Sequence, residues 1–287
     1  MPKVSRVKRK KRTTRTKRAT PSTNGQASSL SLASEPSTPI DDLAQYSILV
    51  FGRPKIGKTT LTACFPKCHH FMFEQGAKAL SIHYRYVEQW NDFAKYLDLV
   101  RKSDFKTITI DVVEKAFDCC IDAKLAELDL TEIPSNDYGK THGIIRQAFM
   151  SDMNAAQSIP EVGCVYLSHS IQGNRKTAEG DEVEDIHPNV PGGKAGEEFL
   201  GCVDILGYYT IYKGRRVLQI EGDDYVYAGH RLQERFKTKR GDSLKFIPMG
   251  NSPKEGYDNL LRAFDNGIDP KELDFLAPKR KRTRTWH

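Results

Sequence analysis

The stretch G-R-P-K-I-G-K-T-T, residues 52–60, constrains the fold of this chain more than any other part of the sequence. It follows the apolar run S-I-L-V-F at 47–51 and precedes L-T-A-C-F. The pattern G-x-x-x-x-G-K-[ST] needs its two glycines because backbone N–H groups must turn inward around phosphate oxygens. The sequence therefore predicts a buried strand, a phosphate-binding loop and a helix in direct succession.

Each position of this phosphate loop has a predicted role. Lys58 is expected to reach the β and γ phosphates, and Thr59 is expected to ligate magnesium. The helix that follows is expected to direct its positive N-terminus at the phosphates. The residues predicted to contact the nucleotide are Gly52, Arg53, Pro54, Lys55, Ile56, Gly57, Lys58, Thr59 and Thr60.

Acidic residues and a histidine end three further apolar runs. Asp111 closes K-T-I-T-I-D and is the predicted second magnesium residue, because a charge at the tip of an apolar strand is costly to bury without a partner. Hydrolysis also needs a carboxylate that orients or deprotonates water. Glu74, at the tip of H-F-M-F-E, is favoured over Glu114, which is expected to start a helix. His169 ends G-C-V-Y-L-S-H-S, where a polar side chain is placed to sense the γ phosphate.

The order of predicted elements indicates an α/β fold with a mostly parallel sheet flanked by helices. Strands are predicted at 70–74, 106–113 and 163–170, with helices at 77–101, over about 15 residues after the third strand, and at about 143–158. A long polar loop is predicted at 171–196. Strands at 203–212, 216–221 and 225–228, separated by turn residues, predict a C-terminal antiparallel meander.

Charge is concentrated at the two ends of the chain. The formal net charge is +7, yet residues 1–20 hold ten Lys or Arg and no acid, and residues 279–284 hold five more. Without these fifteen, 29 basic residues face 37 acidic ones. Such ends attract polyanions. They predict nucleic-acid contact, with Lys8, Arg9, Lys10, Lys11 and Arg12 as candidates, and a solubilising or targeting tail is the alternative.

Composition also predicts the domain organisation. Residues 1–40 are charged and then rich in Ser, Thr, Pro, Gly and Ala, so a disordered basic tail is expected there. One globular domain is expected at 41–268 and a basic tail at 269–287. No run of 18 apolar residues occurs, so no membrane span is expected. Six cysteines without an N-terminal apolar signal segment predict reduced thiols in the cytoplasm.

The motifs I-L-V-F-G-R-P-K-I-G-K-T-T, F-M-F-E-Q-G, T-I-T-I-D and V-Y-L-S-H-S, in this order and before a β meander, resemble the RecA-like P-loop ATPases. Within them, the chain is similar to a compact bacteriophage family that includes single-strand annealing recombinases. The resemblance spans about 45–250. It implies ATP and Mg²⁺ as cofactors, Glu74 as the catalytic carboxylate, Asp111 on magnesium, and His169 as the link from the nucleotide to the next loop.

The resemblance also implies partners. The loop 171–196 occupies the position at which RecA-like proteins contact single-stranded DNA, which makes Arg175, Lys176 and Lys194 candidates, although acids from Glu179 to Asp185 interrupt its basic character. The segment F-K-T-K-R-G resembles one that reaches a neighbour's nucleotide in filaments. A homo-oligomer or filament and a single-strand-binding protein are the implied protein partners, in host cytoplasm or nucleoid. The candidates for the contact in trans are Lys237, Lys239 and Arg240, and a solvated basic cluster is the alternative.

Three functions remain open from the sequence. The first is a DNA-binding ATPase, with turnover stimulated by DNA, that acts in recombination or single-strand annealing. The second is a nucleotide-gated adaptor without significant hydrolysis. The third is a small-molecule phosphotransferase, although such chains usually finish in helices, whereas hairpins follow the fourth strand here.

Overall fold

The computed structural model describes residues 35–176 and 179–276. The chain divides into two units, residues 1–39 and residues 40–287, and all helices and strands described below belong to the second. Five predicted DNA-binding residues lie outside the described residues, as does the side chain of Arg175. Those five are Lys8, Arg9, Lys10, Lys11 and Arg12.

Ten strands and six α-helices are present in the described part of the chain. The strands are β1 Ser47–Gly52, β2 Cys68–Met72, β3 His83–Tyr86, β4 Thr107–Asp111, β5 Gly163–Lys176, β6 Glu182–Pro188, β7 Ile205–Tyr212, β8 Arg215–Gln219, β9 Gly229–His230 and β10 Phe246–Pro248. The helices are α1 Lys58–Thr62, α2 Trp90–Val100, α3 Val113–Glu127, α4 Lys140–Gln157, α5 Lys194–Cys202 and α6 Pro253–Phe264. Short 3₁₀ helices are formed by Leu43–Gln45, Ala77–Ala79 and Pro270–Leu276.

One sheet organises these elements, in the order β10-β8-β7-β1-β5-β4-β2-β3. The six strands from β7 to β3 are parallel to their neighbours, whereas β8 and β10 add antiparallel pairs at one end. This arrangement confirms the predicted mostly parallel sheet with an antiparallel C-terminal part. Because the strands are parallel, the carboxyl ends of β1, β2, β4 and β5 lie at one edge of the sheet.

The central strand β1 is buried on both sides. Leu49 and Phe51 pack into one core with helices α2 to α5, and Ile48 and Val50 pack into a second core with α1 and α6. All four side chains are fully buried. A strand covered on both faces needs a continuous apolar run rather than an alternating one, which explains S-I-L-V-F.

Three segments differ from the sequence-based expectation. The predicted helix at 77–101 is a 3₁₀ turn, the edge strand β3 and the shorter helix α2. The predicted loop at 171–196 is largely ordered, because β5 continues to Lys176 and pairs with β6. Residues 225–228 form no strand; they make one bridge, from Val226 to Ile186. The antiparallel pairs at the sheet's edge come instead from β9 and β10.

The β5–β6 hairpin projects from the carboxyl edge of the sheet, and both of its ends meet at His169. Its register runs from Ser170 opposite Pro188 to Lys176 opposite Glu182. Just after β6, the backbone N–H of Asn189 donates to the carbonyl oxygen of His169 at 2.7 Å. The base of the hairpin is thus attached to the strand tip on which a phosphate-sensing residue is predicted.

Among the described residues, no helix has both the length and the apolarity that a bilayer crossing demands.

Candidate nucleotide site

The phosphate loop joins β1 to α1 at the carboxyl edge of the sheet, and two of its glycines are required by geometry. A Cβ atom on Gly52 would lie 2.3 Å from the carbonyl oxygen of Tyr209 on β7, too close for any side chain. Gly57 has φ of 105°, a left-handed conformation that other residues rarely adopt. The backbone of residues 52–57 therefore has the phosphate-loop conformation that the glycine spacing predicts.

Lys58 lies folded beneath this loop. Its side chain is 6% exposed, and Nζ donates to the carbonyl oxygens of Gly52 at 2.8 Å and Arg53 at 3.1 Å. Burial lowers the pKa of the Lys58 ammonium, while the negative charges of Asp111, Glu114 and Glu74 act to raise it. The ammonium group is thus held at the loop by two carbonyls, which leaves it a donor for a phosphate oxygen.

Thr59 and Asp111 meet across the edge of the sheet. The Thr59 hydroxyl donates to Asp111 Oδ2 at 2.7 Å, and Asp111 is 3% exposed. Burial raises the pKa of Asp111 to about 6, against the lowering effects of the Thr59 hydrogen bond, Lys58 and His169. A hydroxyl and a carboxylate are oxygen ligands of the type that Mg²⁺ prefers. These two residues therefore fit a magnesium ion, and a bound ion would supply charge neutralisation for the phosphates.

We expect Asp111→Asn to stabilise the nucleotide-free chain. The folded-state pKa of about 6 exceeds the ordinary aspartate pKa of 3.8, so the folded state binds the proton more tightly and loses stability as pH rises through this window. Above about pH 7 the charged carboxylate costs about 3 kcal/mol, which a neutral amide avoids. Thermal unfolding of wild type and Asp111→Asn at about pH 4 and about pH 8 measures the difference in stability. The variant should be more stable than wild type only at the higher pH.

The matched control for that variant is Asp122→Asn. Asp122 is an exposed carboxylate on α3, so its substitution should change stability by no more than about 0.5 kcal/mol. A lower melting temperature for Asp111→Asn than for wild type at about pH 8 would contradict the assigned burial cost.

Glu114 and His169 form a pair that the sequence did not reveal. Glu114 Oε1 lies 2.5 Å from His169 Nδ1 and accepts the backbone N–H of His169 at 3.1 Å. The Glu114 side chain is 12% exposed, and its Oε2 atom is buried without a hydrogen-bond partner among the described residues. Glu114 therefore orients the imidazole ring of His169. The sequence offered Glu114 as the alternative base for water, and the structure makes it a positioning residue for His169 instead.

Glu74 lies at the same edge of the sheet, but its surroundings differ from those of Glu114. It follows β2 by two residues, is half-buried, and borders a cavity of about 690 Å³ together with Lys115, Glu88 and Asp118. Its charge acts on both Lys58 and Asp111. Within the described ranges no hydrogen bond or ion pair holds its carboxylate, whereas Glu114 is engaged by His169. Glu74 is therefore the carboxylate at this edge that is open to a water molecule.

Arg216 is a second residue that sequence reasoning missed. It lies on β8, and its guanidinium donates to the carbonyl oxygen of Ile56 in the phosphate loop. In addition, Thr60 Oγ1 donates to the carbonyl oxygen of Gly57 at 2.8 Å. Both contacts fix the loop backbone, and the Arg216 contact comes from outside the predicted motif. Arg216 begins the predicted strand 216–221, but its approach to residue 56 depends on pairing between strands that are distant in sequence.

The predicted in-trans residues lie away from the phosphate loop. Arg235, just before them, pairs with Asp41 ahead of β1, and Lys237 pairs with Glu234 at 2.9 Å. Lys239 donates its backbone N–H to Ile268. The segment 236–241 is thus at the amino edge of the sheet. Its cations therefore do not approach the phosphate loop of their own chain.

The other predicted DNA-binding residues separate in the structure. Lys176 lies at the end of β5 beside the acidic strand β6, whose exposed residues include Glu182 and Glu184. Lys194 is instead the first residue of α5 and is exposed. The structure does not gather these cations on one surface.

A family model described as an AAA domain matches residues 44–232. The chain belongs to the AAA domain family. The match includes the phosphate loop, Glu74, Asp111, Glu114 and His169, so this AAA domain is a nucleotide-binding ATPase domain, a class that usually works with Mg²⁺. A comparison with curated proteins found no match.

Proposed function

We propose that this AAA domain protein is an ATP-hydrolysing, DNA-binding protein that acts in phage-type recombination or single-strand annealing. The observation that carries the DNA partner is the charge distribution, with ten basic residues and no acid in residues 1–20. A polybasic segment of this density neutralises phosphates and releases counterions from nucleic acid. Its combination with an ATPase domain supports nucleotide-regulated DNA binding.

The residues of the site divide the work of hydrolysis. Lys58 would neutralise charge on the terminal phosphates, and Thr59 and Asp111 would hold magnesium. Glu74 orients or deprotonates the attacking water. His169, oriented by Glu114, contacts the phosphate that is transferred.

The base of the hairpin connects the nucleotide site to the segment that follows Asn189. Ser170 continues β5 directly from His169, and Asn189 returns to the His169 carbonyl at 2.7 Å. The buried Ser168 hydroxyl also donates to the carbonyl oxygen of Asn189 at 3.1 Å. A shift of His169 between nucleotide states is therefore transmitted to both ends of the β5–β6 hairpin. Oligomerisation through segment 236–241 and a single-strand-binding partner belong to the same proposal.

ATP turnover should rise when single-stranded DNA is added, and duplex DNA should have a smaller effect. The expected reason is that DNA on the surface near Asn189 favours the active position of His169. Turnover and nucleotide affinity are measured across a titration of each DNA, with Lys58→Ala as the inactive reference. If DNA changes neither quantity, the proposed coupling is wrong. If ATP binds without turnover in every condition, a nucleotide-gated adaptor is the better description.

A further inference from the structure

A groove lies between three elements on the side of the sheet covered by α2 to α5. Its walls are α3, the start of α4, and the turn that precedes α5, and it encloses about 660 Å³. We call this feature the Tyr138 groove. Its principal lining residues are Phe117, Ile121, Tyr138, His142, Arg146 and Lys194.

The floor of the Tyr138 groove is apolar. Phe117, Ile121 and Ile133 are half-buried there, and Ile145 beneath them is fully buried. Ordinary surface does not expose several large apolar side chains together in a concave site, and such sites usually take a ligand or partner. Planar, weakly polar groups such as nucleobases suit this floor.

Tyr138 is an aromatic side chain held fully in solvent. Its relative exposure is 104%, the highest among the exposed large hydrophobic residues of the described chain. The turn that carries it is fixed by Asp137, whose carboxylate accepts the N–H groups of Gly139 at 2.9 Å and Thr141 at 2.7 Å. A tyrosine on a fixed turn is a stacking surface for a base, because every base offers a π-face.

The rim of the groove carries positive charge. Arg146 and Lys194 line it, joined by His142, and no carboxylate is among its lining residues. Arg146 contacts Glu198 at 2.5 Å but stays 42% exposed. The β5–β6 hairpin is opposite in sign, since Glu179, Glu182 and Glu184 are exposed there. A polyanion is therefore complementary to the groove and not to the hairpin.

We propose that the Tyr138 groove binds single-stranded nucleic acid, with bases against the apolar floor and Tyr138 and phosphates against Lys194 and Arg146. The inference rests on the proposed DNA partner and specifies where the strand lies. A duplex keeps its bases stacked and paired, so only a single strand can present them to this floor.

The groove is also linked to the nucleotide site. Lys194 is five residues beyond Asn189, whose N–H donates to the His169 carbonyl. Gly192 and Gly193, between them, would have no atom within 4 Å of an added Cβ, so a nucleic-acid backbone can approach this turn closely. Nucleotide state and strand binding therefore act on the same short segment.

The test measures binding of labelled oligothymidylate to the full-length chain with magnesium and a slowly hydrolysed ATP analogue. Tyr138→Ala should weaken binding about 10-fold, and Tyr138→Phe should bind like wild type because the ring is kept. The loss should persist at high salt, where contacts of the basic N-terminal residues are weakened. Lys194→Gln should reduce the log-log salt slope by about 0.7.

The matched control is Tyr225→Ala, which removes another exposed tyrosine, at 63% exposure, beside the hairpin strand β6. It should leave binding unchanged. If Tyr225→Ala loses DNA affinity and Tyr138→Ala does not, the strand binds the hairpin. The proposed groove site would then be wrong, while the proposed DNA-binding function would stand. If Tyr138→Ala changes the oligomeric state but not the DNA affinity, the groove is an interface between copies of the chain. This result would also contradict nucleic-acid binding in the groove. If the wild-type chain does not bind oligothymidylate, both the groove site and the proposed DNA-binding function are wrong.

Discussion

Lys58→Ala should weaken ATP binding about 10- to 100-fold and reduce turnover below detection. Lys58 is 6% exposed and its ammonium group is held by the carbonyl oxygens of Gly52 and Arg53, so its position is determined before any phosphate binds. Charge-assisted hydrogen bonds to phosphate are among the strongest in proteins, and losing the one donor that the two carbonyls leave free costs about 1.5 to 3 kcal/mol. Isothermal titration with ATP and magnesium measures the binding, and phosphate release measures the turnover.

The same substitution should not unfold the chain. Removing a buried ammonium also removes its desolvation cost, which is the largest influence on the Lys58 pKa. The control is Lys102→Ala, an exposed lysine in the turn after α2, which should keep wild-type affinity and turnover. ATP affinity within about threefold of wild type for Lys58→Ala, in a protein that melts normally, would contradict the assigned phosphate contact.

The parts of the site that the sequence predicted are those that depend on local chain geometry. The phosphate loop is continuous in sequence, so its spacing alone predicts Gly52, Gly57 and Lys58. Asp111 was predicted because a charge at the end of T-I-T-I requires a partner, and Thr59 is that partner at 2.7 Å. Parallel pairing of β4 with β5 then places such strand tips at a common edge.

The contacts that were not predicted are made between residues distant in sequence. Glu114 and His169 are 55 positions apart. The spacing of apolar residues in a sequence does not show which side chains of a helix and a neighbouring strand will be in contact. Arg216 reaches Ile56 across 160 positions. The Tyr138 groove likewise joins α3, α4 and α5, whose contact follows from packing over the sheet rather than from any one motif.

The incorrect helix at 77–101 has a physical origin as well. Leu80, Tyr84 and Val87 have helical spacing, yet β3 runs through 83–86. As an edge strand it pairs with β2 alone among the described strands and has its first three residues exposed. An exposed edge strand does not need the alternation of apolar and polar residues that identifies a half-buried strand, so its pattern was indistinguishable from a helix.

Glu74→Gln and Glu114→Gln should separate the two carboxylates by kinetics. Glu74→Gln removes the group open to water, so turnover should fall about 10²- to 10⁴-fold while ATP affinity stays near wild type. Glu114→Gln keeps an oxygen for the His169 N–H but loses the charge beside Nδ1, and a positioning loss of about 10-fold in turnover is expected. Steady-state turnover and nucleotide binding are measured for each variant.

The control for this comparison is Glu88→Gln, because Glu88 is an exposed carboxylate on the same cavity as Glu74. It should retain wild-type turnover, which excludes a general effect of removing charge there. His169→Gln combined with Glu114→Gln should be no slower than His169→Gln alone, since Glu114 acts through the ring that the first change removes. A larger loss for Glu114→Gln than for Glu74→Gln would reverse the assignment, making Glu114 the water base and its unpartnered Oε2 the atom that accepts the proton.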